Sequence, residues 1–114
     1  MTPEMPDPES PQGAVPLLDE LLSGPSSFQT GRILATPGAL AQIHQHRISL
    51  LSLLQRHLRC DWGDVGPEDA HANWQALIHD GRLLSSYPLS PEVKIWIITE
   101  ADRSATTALL PEEY

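Results

Sequence analysis

The residues best suited to chemistry gather in Thr99-Glu-Ala-Asp-Arg-Ser-Ala-Thr-Thr107, where two carboxylates, one guanidinium and four hydroxyls surround a short turn. Glu100, Asp102, Arg103 and Ser104 are the candidates there. A carboxylate beside an arginine and a serine can activate a nucleophile or hold an anion. The same residue types are ordinary turn formers, and an Asp–Arg pair can simply pin a hairpin. A second set begins at His57, one helical turn before Asp61, a spacing that lets the carboxylate orient the imidazole. With Ser85, Ser86 or Ser104 folded nearby, the pair would complete a nucleophile–base–acid set. No Gly-x-Ser-x-Gly elbow accompanies it. In the structural alternative His57 and Asp61 close a helix end, where a cationic imidazole suits the dipole.

Other groups point away from metals and cofactors. His44 and His46 would diverge by about 200° on a helix. Asp61, Asp64 and Asp69 do not follow a calcium-loop spacing, and His-Glu-x-x-His is absent. A lone Cys60 excludes an internal disulfide and a multi-cysteine zinc site. Trp62 and Trp74 read first as packing anchors, although Trp62, beside Asp61, also stands among the candidate partner-binding residues. Trp96 shares a strand face with Lys94 and is a candidate stacking surface for a base or nucleotide. The final Pro-Glu-Glu-Tyr114 either tucks Tyr114 into the core or offers it to a partner.

These groups must be positioned by a small α+β domain over residues 31–114, with two or three helices packed on a three- or four-stranded antiparallel sheet. Arg32–Ala35 is a short strand candidate, and Thr36-Pro37 opens a helix with Thr as cap. Leu40, Ile43, Leu50, Leu51, Leu54 and Leu58 recur at helical spacing over 37–60, interrupted by polar residues near 45. That pattern predicts one long helix with a weak middle or two helices with a bend. Residues 67–79 form a further helix ended by Asp80-Gly81, with glycine as the stop. Strands at 82–87, 93–100 and 104–110, joined by short turns, make an antiparallel meander. Residues 1–30 hold six of eleven prolines and no lysine or arginine, the composition of a disordered acidic tail. Within it Val15-Pro-Leu-Leu-Asp-Glu-Leu-Leu22 is a short amphipathic piece, Leu17–Leu22, that can dock on itself or on a partner.

The chain of 114 residues carries a formal charge of −8, the wrong sign for general nucleic-acid binding. No signal-peptide pattern opens it and no run approaches the ~18 apolar residues of a membrane span, so a cytoplasmic protein is expected. The expected partner is a protein, with homodimerisation one form of it; nucleic acid is disfavoured and no membrane partner is expected.

Six pieces carry a resemblance: Ala35-Thr-Pro-Gly-Ala-Leu40, His57-x-x-x-Asp-Trp-Gly-Asp64, Asp69-x-x-x-Asn73, Arg82-Leu-Leu-Ser-Ser-Tyr87, Lys94-Ile-Trp-Ile-Ile-Thr-Glu-Ala-Asp-Arg-Ser104 and Thr106-Thr-x-Leu-Leu-Pro-Glu-Glu-Tyr114. Through them the chain resembles small bacterial "plasmid-related" proteins, sometimes labelled "type I restriction endonuclease subunit M". The resemblance implies membership among proteins carried on mobile genetic elements. The expectation drawn from it is an accessory protein that acts through protein–protein contacts. The acidic charge suggests one sharper version, in which carboxylates stand in place of DNA phosphates to blunt a restriction or CRISPR system. The resemblance implies no mechanism, and a methyltransferase subunit would need a far larger cofactor domain. Cys60 stands where that family more often has glycine. The alternative from the residues themselves is a small enzyme or nucleotide-binding domain using His57, Asp61, Glu100, Asp102, Arg103 and Ser104.

Overall fold

The computed structural model describes residues 28–114. The proline-rich stretch and the Leu17–Leu22 piece lie outside the described residues. Strand β1 (Arg32–Ala35) leads through helices α1 (Pro37–Gln45), α2 (Leu50–Leu58) and α3 (Pro67–His79). Strands β2 (Leu83–Pro88), β3 (Lys94–Thr99) and β4 (Ala105–Leu109) follow, then a 3-10 turn at Pro111–Glu113.

The helix boundaries follow side-chain caps. Thr36 accepts the Ala39 amide at 3.1 Å and Pro37 takes the first helical position. Of the two arrangements compatible with the leucine pattern, the chain adopts two helices. Ser49 caps α2 by accepting the Ser52 amide at 3.2 Å, and Arg47 adopts a left-handed φ of 56° between them. Helix α3 stops at Asp80, whose φ is 58°, rather than at Gly81. Aspartate tolerates that conformation better than most side chains, so the expected glycine stop sits one residue late.

The sheet order is β1-β4-β3-β2. The last three strands form the expected antiparallel meander, with Leu83 opposite Thr99 and Ile97 opposite Ala108. The expectation of a wholly antiparallel sheet is corrected at β1, which runs parallel to β4. Parallel neighbours need a long crossover, and here that crossover holds all three helices.

Strand alternation sorts the side chains onto two faces. Tyr87, Ile95, Ile97 and Ala108 meet Ala39, Ile43, Leu53 and Leu54 from α1 and α2. Leu83, on the same face, packs with Trp62 and Ala76, the latter from α3. The helices therefore gather on one face. The other presents Leu34, Leu84, Trp96, Ile98 and Leu109, and no helix among the described residues contributes to it in the core clusters. The fold also takes in residues before Gly31, since Phe28 packs beside Trp62 and Leu83.

The outer edge of β2 is sealed. Asn73 donates to the Leu84 carbonyl at 2.8 Å and accepts its amide at 3.0 Å, standing in for a missing strand. One pleat further, Ser86 donates to Trp62 O at 2.9 Å and accepts from Asp64 N at 2.6 Å. Gly63 lies between at φ 75°, so close to the Ser86 carbonyl that a β-carbon would collide with it. Blocked edges resist unwanted strand pairing. No helix among the described residues is long and apolar enough to cross a membrane.

Cys60 has a structural cost. It sits just past α2 at φ 65°, its amide bonded to His57 O at 3.0 Å while the Asp61 amide reaches Arg56 O at 2.9 Å. Those two bonds define a Schellman stop, which favours glycine at the left-handed position. The replacement Cys60→Gly is expected to raise stability by about 0.5–1 kcal/mol, a rise of several degrees in Tm measured by calorimetry.

Candidate functional site

His57 is fully buried, and so are Ser85, Thr99 and Thr106. Helix α2 drives the imidazole down onto the inner face of the sheet, where alternation has placed those three hydroxyls side by side. His57 Nδ1 lies 2.5 Å from Ser85 Oγ and Nε2 lies 2.9 Å from Thr99 Oγ1. Thr99 Oγ1 is 2.8 Å from Thr106 Oγ1, and the Thr106 hydroxyl donates to the Thr30 carbonyl at 2.8 Å. Proton counting orients the whole chain. Thr106 spends its one hydrogen on Thr30, so Thr99 donates to Thr106 and must accept from His57 Nε2. A neutral ring with its proton on Nε2 then accepts from Ser85 at Nδ1.

Burial enforces that neutral form. Desolvation first, and the positive charge of Arg103 second, lower the imidazole to a pKa of about 3. The expectation of a cationic His57 closing the helix end is thereby corrected. Aromatic rings close over it: Phe28 stands edge-on at 5.2 Å between centroids and Trp62 at 5.7 Å. Of the three serines weighed beside His57, Ser85 bonds it while Ser86 faces the other side of the sheet and Ser104 is exposed, and the arrangement is a buried structural relay.

Asp61 does not orient His57. Its carboxylate accepts from Arg56 Nε at 2.7 Å and Nη2 at 3.3 Å, and this hydrogen-bonded partner holds its carboxyl below the usual range. The Asp61 carbonyl accepts from the Tyr87 hydroxyl at 2.6 Å, while Arg56 lies 4.5 Å from the Tyr87 ring centroid. Burial pushes Tyr87 up to about 12. Trp62 is a packing anchor, 5% exposed, whereas Trp74 leans on it half-exposed.

The hairpin is held by Arg103, though not through Asp102. Arg103 Nη1 donates to the carbonyls of Gly81 at 2.6 Å, Glu100 at 2.9 Å and Ala101 at 3.2 Å. Its Nη2 reaches Ala76 O at 3.1 Å, which ties the turn to the C-terminal end of α3. A cation suits carbonyls at a helix end, and here it adds to the backbone amides that Ala76 O and Glu100 O already accept. Asp102 instead accepts from the Ser104 amide at 3.0 Å, and hydrogen bonds from Ser104, the side chain foremost, hold its carboxyl below the usual range. Glu100 and Ser104 are exposed. The His57 relay and the hairpin are thus two separate structural devices. His57, Asp61, Glu100, Asp102, Arg103 and Ser104 line neither the cleft of about 260 Å³ beside Gln42 and Lys94 nor the one beside Gln75 and Arg82, although Arg103's partners Ala76 and Gly81 line the latter. No group of three or more His, Cys, Asp or Glu among the described residues is arranged to hold a metal ion.

Tyr114 lies elsewhere, on the outer sheet face. Its ring meets Trp96 edge-on at 5.9 Å, and the Arg82 guanidinium lies 5.0 Å from its centroid. It is 62% exposed, so it neither enters the core nor projects free. Glu113 fixes the approach by accepting from the Thr36 hydroxyl at 2.6 Å and the Leu110 amide at 2.8 Å. Around this aromatic pair the pleat places Leu84, Ile98 and Leu109, with the cations Arg32 and Lys94 on the same side. Ser86 faces this side too, and its buried hydroxyl has no hydrogen-bond partner. Sequence reasoning reached Trp96 and Lys94 by alternation, weighed Ser86 only as a neighbour of His57 and had no local signal for Arg82; both join Trp96 through strand register.

Two outcomes follow for stability. The unfolded chain protonates His57 near its ordinary pKa of 6.5 while the folded chain refuses the proton until about 3. Stability is therefore whole above the unfolded pKa and is lost as pH falls below it, by about 2 kcal/mol between pH 7.5 and pH 5. Urea unfolding at the two pH values checks this, with His57→Gln as the non-titrating reference expected to lack the loss. Arg103→Ala should cost about 1–3 kcal/mol, chiefly through the lost bonds to the Gly81 and Ala101 carbonyls, whereas Asp102→Ala should leave the denaturation midpoint nearly unchanged.

No protein-family model, curated protein or solved structure matches this chain.

Proposed function

We propose that this chain is a protein-interaction module that binds through the outer face of its sheet. One observation carries the reading: Trp96, Tyr114 and Arg82 form an aromatic–cation cluster on a face that no described helix covers. Tryptophan, tyrosine and arginine are the side chains that most often dominate binding energy at protein interfaces, because they bury large area and still satisfy a polar end. The partner fitted to this face is an apolar segment bearing carboxylates, since Arg32, Arg82 and Lys94 stand around the partly exposed Leu34, Leu84 and Trp96, with Ile98 and Leu109 buried beneath. The family resemblance supplies the setting: an accessory factor of mobile genetic elements whose target belongs to a restriction or CRISPR system. The enzyme reading loses support, because His57 is sealed and Arg103 is spent on backbone carbonyls.

The test is affinity capture from a bacterial host with the wild-type chain, a Trp96→Ala/Arg82→Glu variant and a Glu68→Gln/Asp69→Asn control on the exposed side of α3. A defined protein retained by wild type and control, and weakened at least about tenfold by the sheet-face variant, is the expected result. Capture that survives the sheet-face changes would overturn the reading. Light scattering of each variant checks its fold and shows whether a second copy is the partner.

A further inference from the structure

The two edges of the sheet are not alike. Asn73 and the Trp62–Asp64 segment close the β2 edge, whereas no strand pairs with the outer edge of β1 among the described residues. The Arg32 and Thr36 amides bond the Ser104 and Ala108 carbonyls, each at 3.0 Å. Alternation therefore turns the amides and carbonyls of Ile33 and Ala35 outward, away from β4. A row of unpaired donors and acceptors is a template for another strand.

This open stretch is bounded on both sides. Gly31, at φ 65°, leaves the extended conformation, and Pro37 has no amide to give. Between them the pattern is complementary to its own antiparallel copy. With Leu34 opposite Leu34 of a second copy, Ile33 and Ala35 of one chain exchange amide–carbonyl bonds with Ala35 and Ile33 of the other. Any other register draws in the Gly31 turn or the Pro37 position, so this alignment alone uses every outward group.

The side chains agree with it. Leu34 is 38% exposed and meets its counterpart at a close, non-hydrogen-bonded site. Arg32 falls opposite Thr36 of the second copy, whose hydroxyl holds the Glu113 carboxylate at 2.6 Å. Arg32 has no ion-pair partner among the described residues. Asp102, the acid nearest it along the β3–β4 turn, accepts from the Ser104 amide. Two-fold symmetry places an Arg32 against a Glu113 at both ends of the seam.

We infer that two copies of this chain pair antiparallel along β1, about a two-fold axis at Leu34, and join their sheets into one. Such an isologous contact closes on itself, and the sealed β2 edges stop growth at the dimer. The axis stands perpendicular to the sheet, so the two Trp96–Tyr114–Arg82 clusters lie on one shared surface. Edge pairing does not require a foreign partner on that surface.

Sedimentation equilibrium of the full chain from about 1 to 200 µM brackets a weak but specific contact. Expected is a monomer–dimer equilibrium that Arg32→Glu and Glu113→Lys each weaken at least about tenfold. Mixed in equal amounts, the two variants should regain the dimer, because one charge pair is then reversed and the other native. That recovery separates lost pairing from lost folding, since two unfolded chains would not restore each other. Leu34→Cys in a Cys60→Gly background sets two thiols on Cα atoms about 4.5 Å apart, and mild oxidation should link them. Ser52→Cys on α2 in the same background should stay monomeric. A monomer at every concentration would overturn edge pairing. So would a dimer that ignores both charge changes but yields to Trp96→Ala/Arg82→Glu, which would move self-association to the outer face. Capture of a foreign protein through Trp96 and Arg82 by a strictly monomeric chain would remove the dimer and leave the partner reading intact.

Discussion

The fold is organised around one neutral imidazole. His57 hangs from α2, yet its two ring nitrogens belong to Ser85 on β2 and Thr99 on β3. Thr106 carries the same chain of hydrogen bonds to β4 and on to the backbone of Thr30 before β1. A helix, three strands and the segment leading into the first strand are tied through five polar groups in the buried interior. Such a network is stable only when every member is satisfied, because an unpaired buried donor or acceptor costs its full desolvation. Here the hydrogen count closes from Ser85 to Thr30 with no proton left over. Charging the ring would break that balance, which is why burial and function as an acid–base catalyst are opposed at this residue.

A second pattern recurs where elements end. Arg103, Asn73, Glu113 and the Ser49 and Thr36 hydroxyls each satisfy backbone groups that secondary structure leaves open. Arg103 gathers the carbonyls of the β3–β4 turn, Gly81 and the last turn of α3 onto one guanidinium. A domain this small buries a limited apolar area, so these side-chain-to-backbone bonds carry a large share of its definition. Polar residues that look like a constellation for chemistry, His57 and Arg103 foremost, are in this way consumed as structural partners, and the outer sheet face differs from them. There the aromatic pair and Arg82 remain exposed to solvent in part, and Ser86 keeps an unused hydroxyl.

By itself the sequence determined the α+β class, the helix openings at Thr36-Pro37 and Pro67, the meander and its turns, because these are set by local spacing, caps and strand alternation. It left Ser85, Ser86 and Ser104 as equal candidates beside His57, and strand register chose Ser85. Tertiary structure decided the rest. Whether His57 works with Asp61 depended on which neighbour Asp61 reached first, and Arg56 at five residues' separation took it. Phe28 looked like tail by composition and became a wall of the His57 site through a contact with no local signature. The parallel placement of β1 required the crossover to close on β4, a choice made by sheet pairing across more than seventy residues. The convergence of Arg82, Trp96 and Tyr114 likewise arises from register and from the final turn folding back, so a contact among residues far apart in the chain could be decided only when the chain was packed.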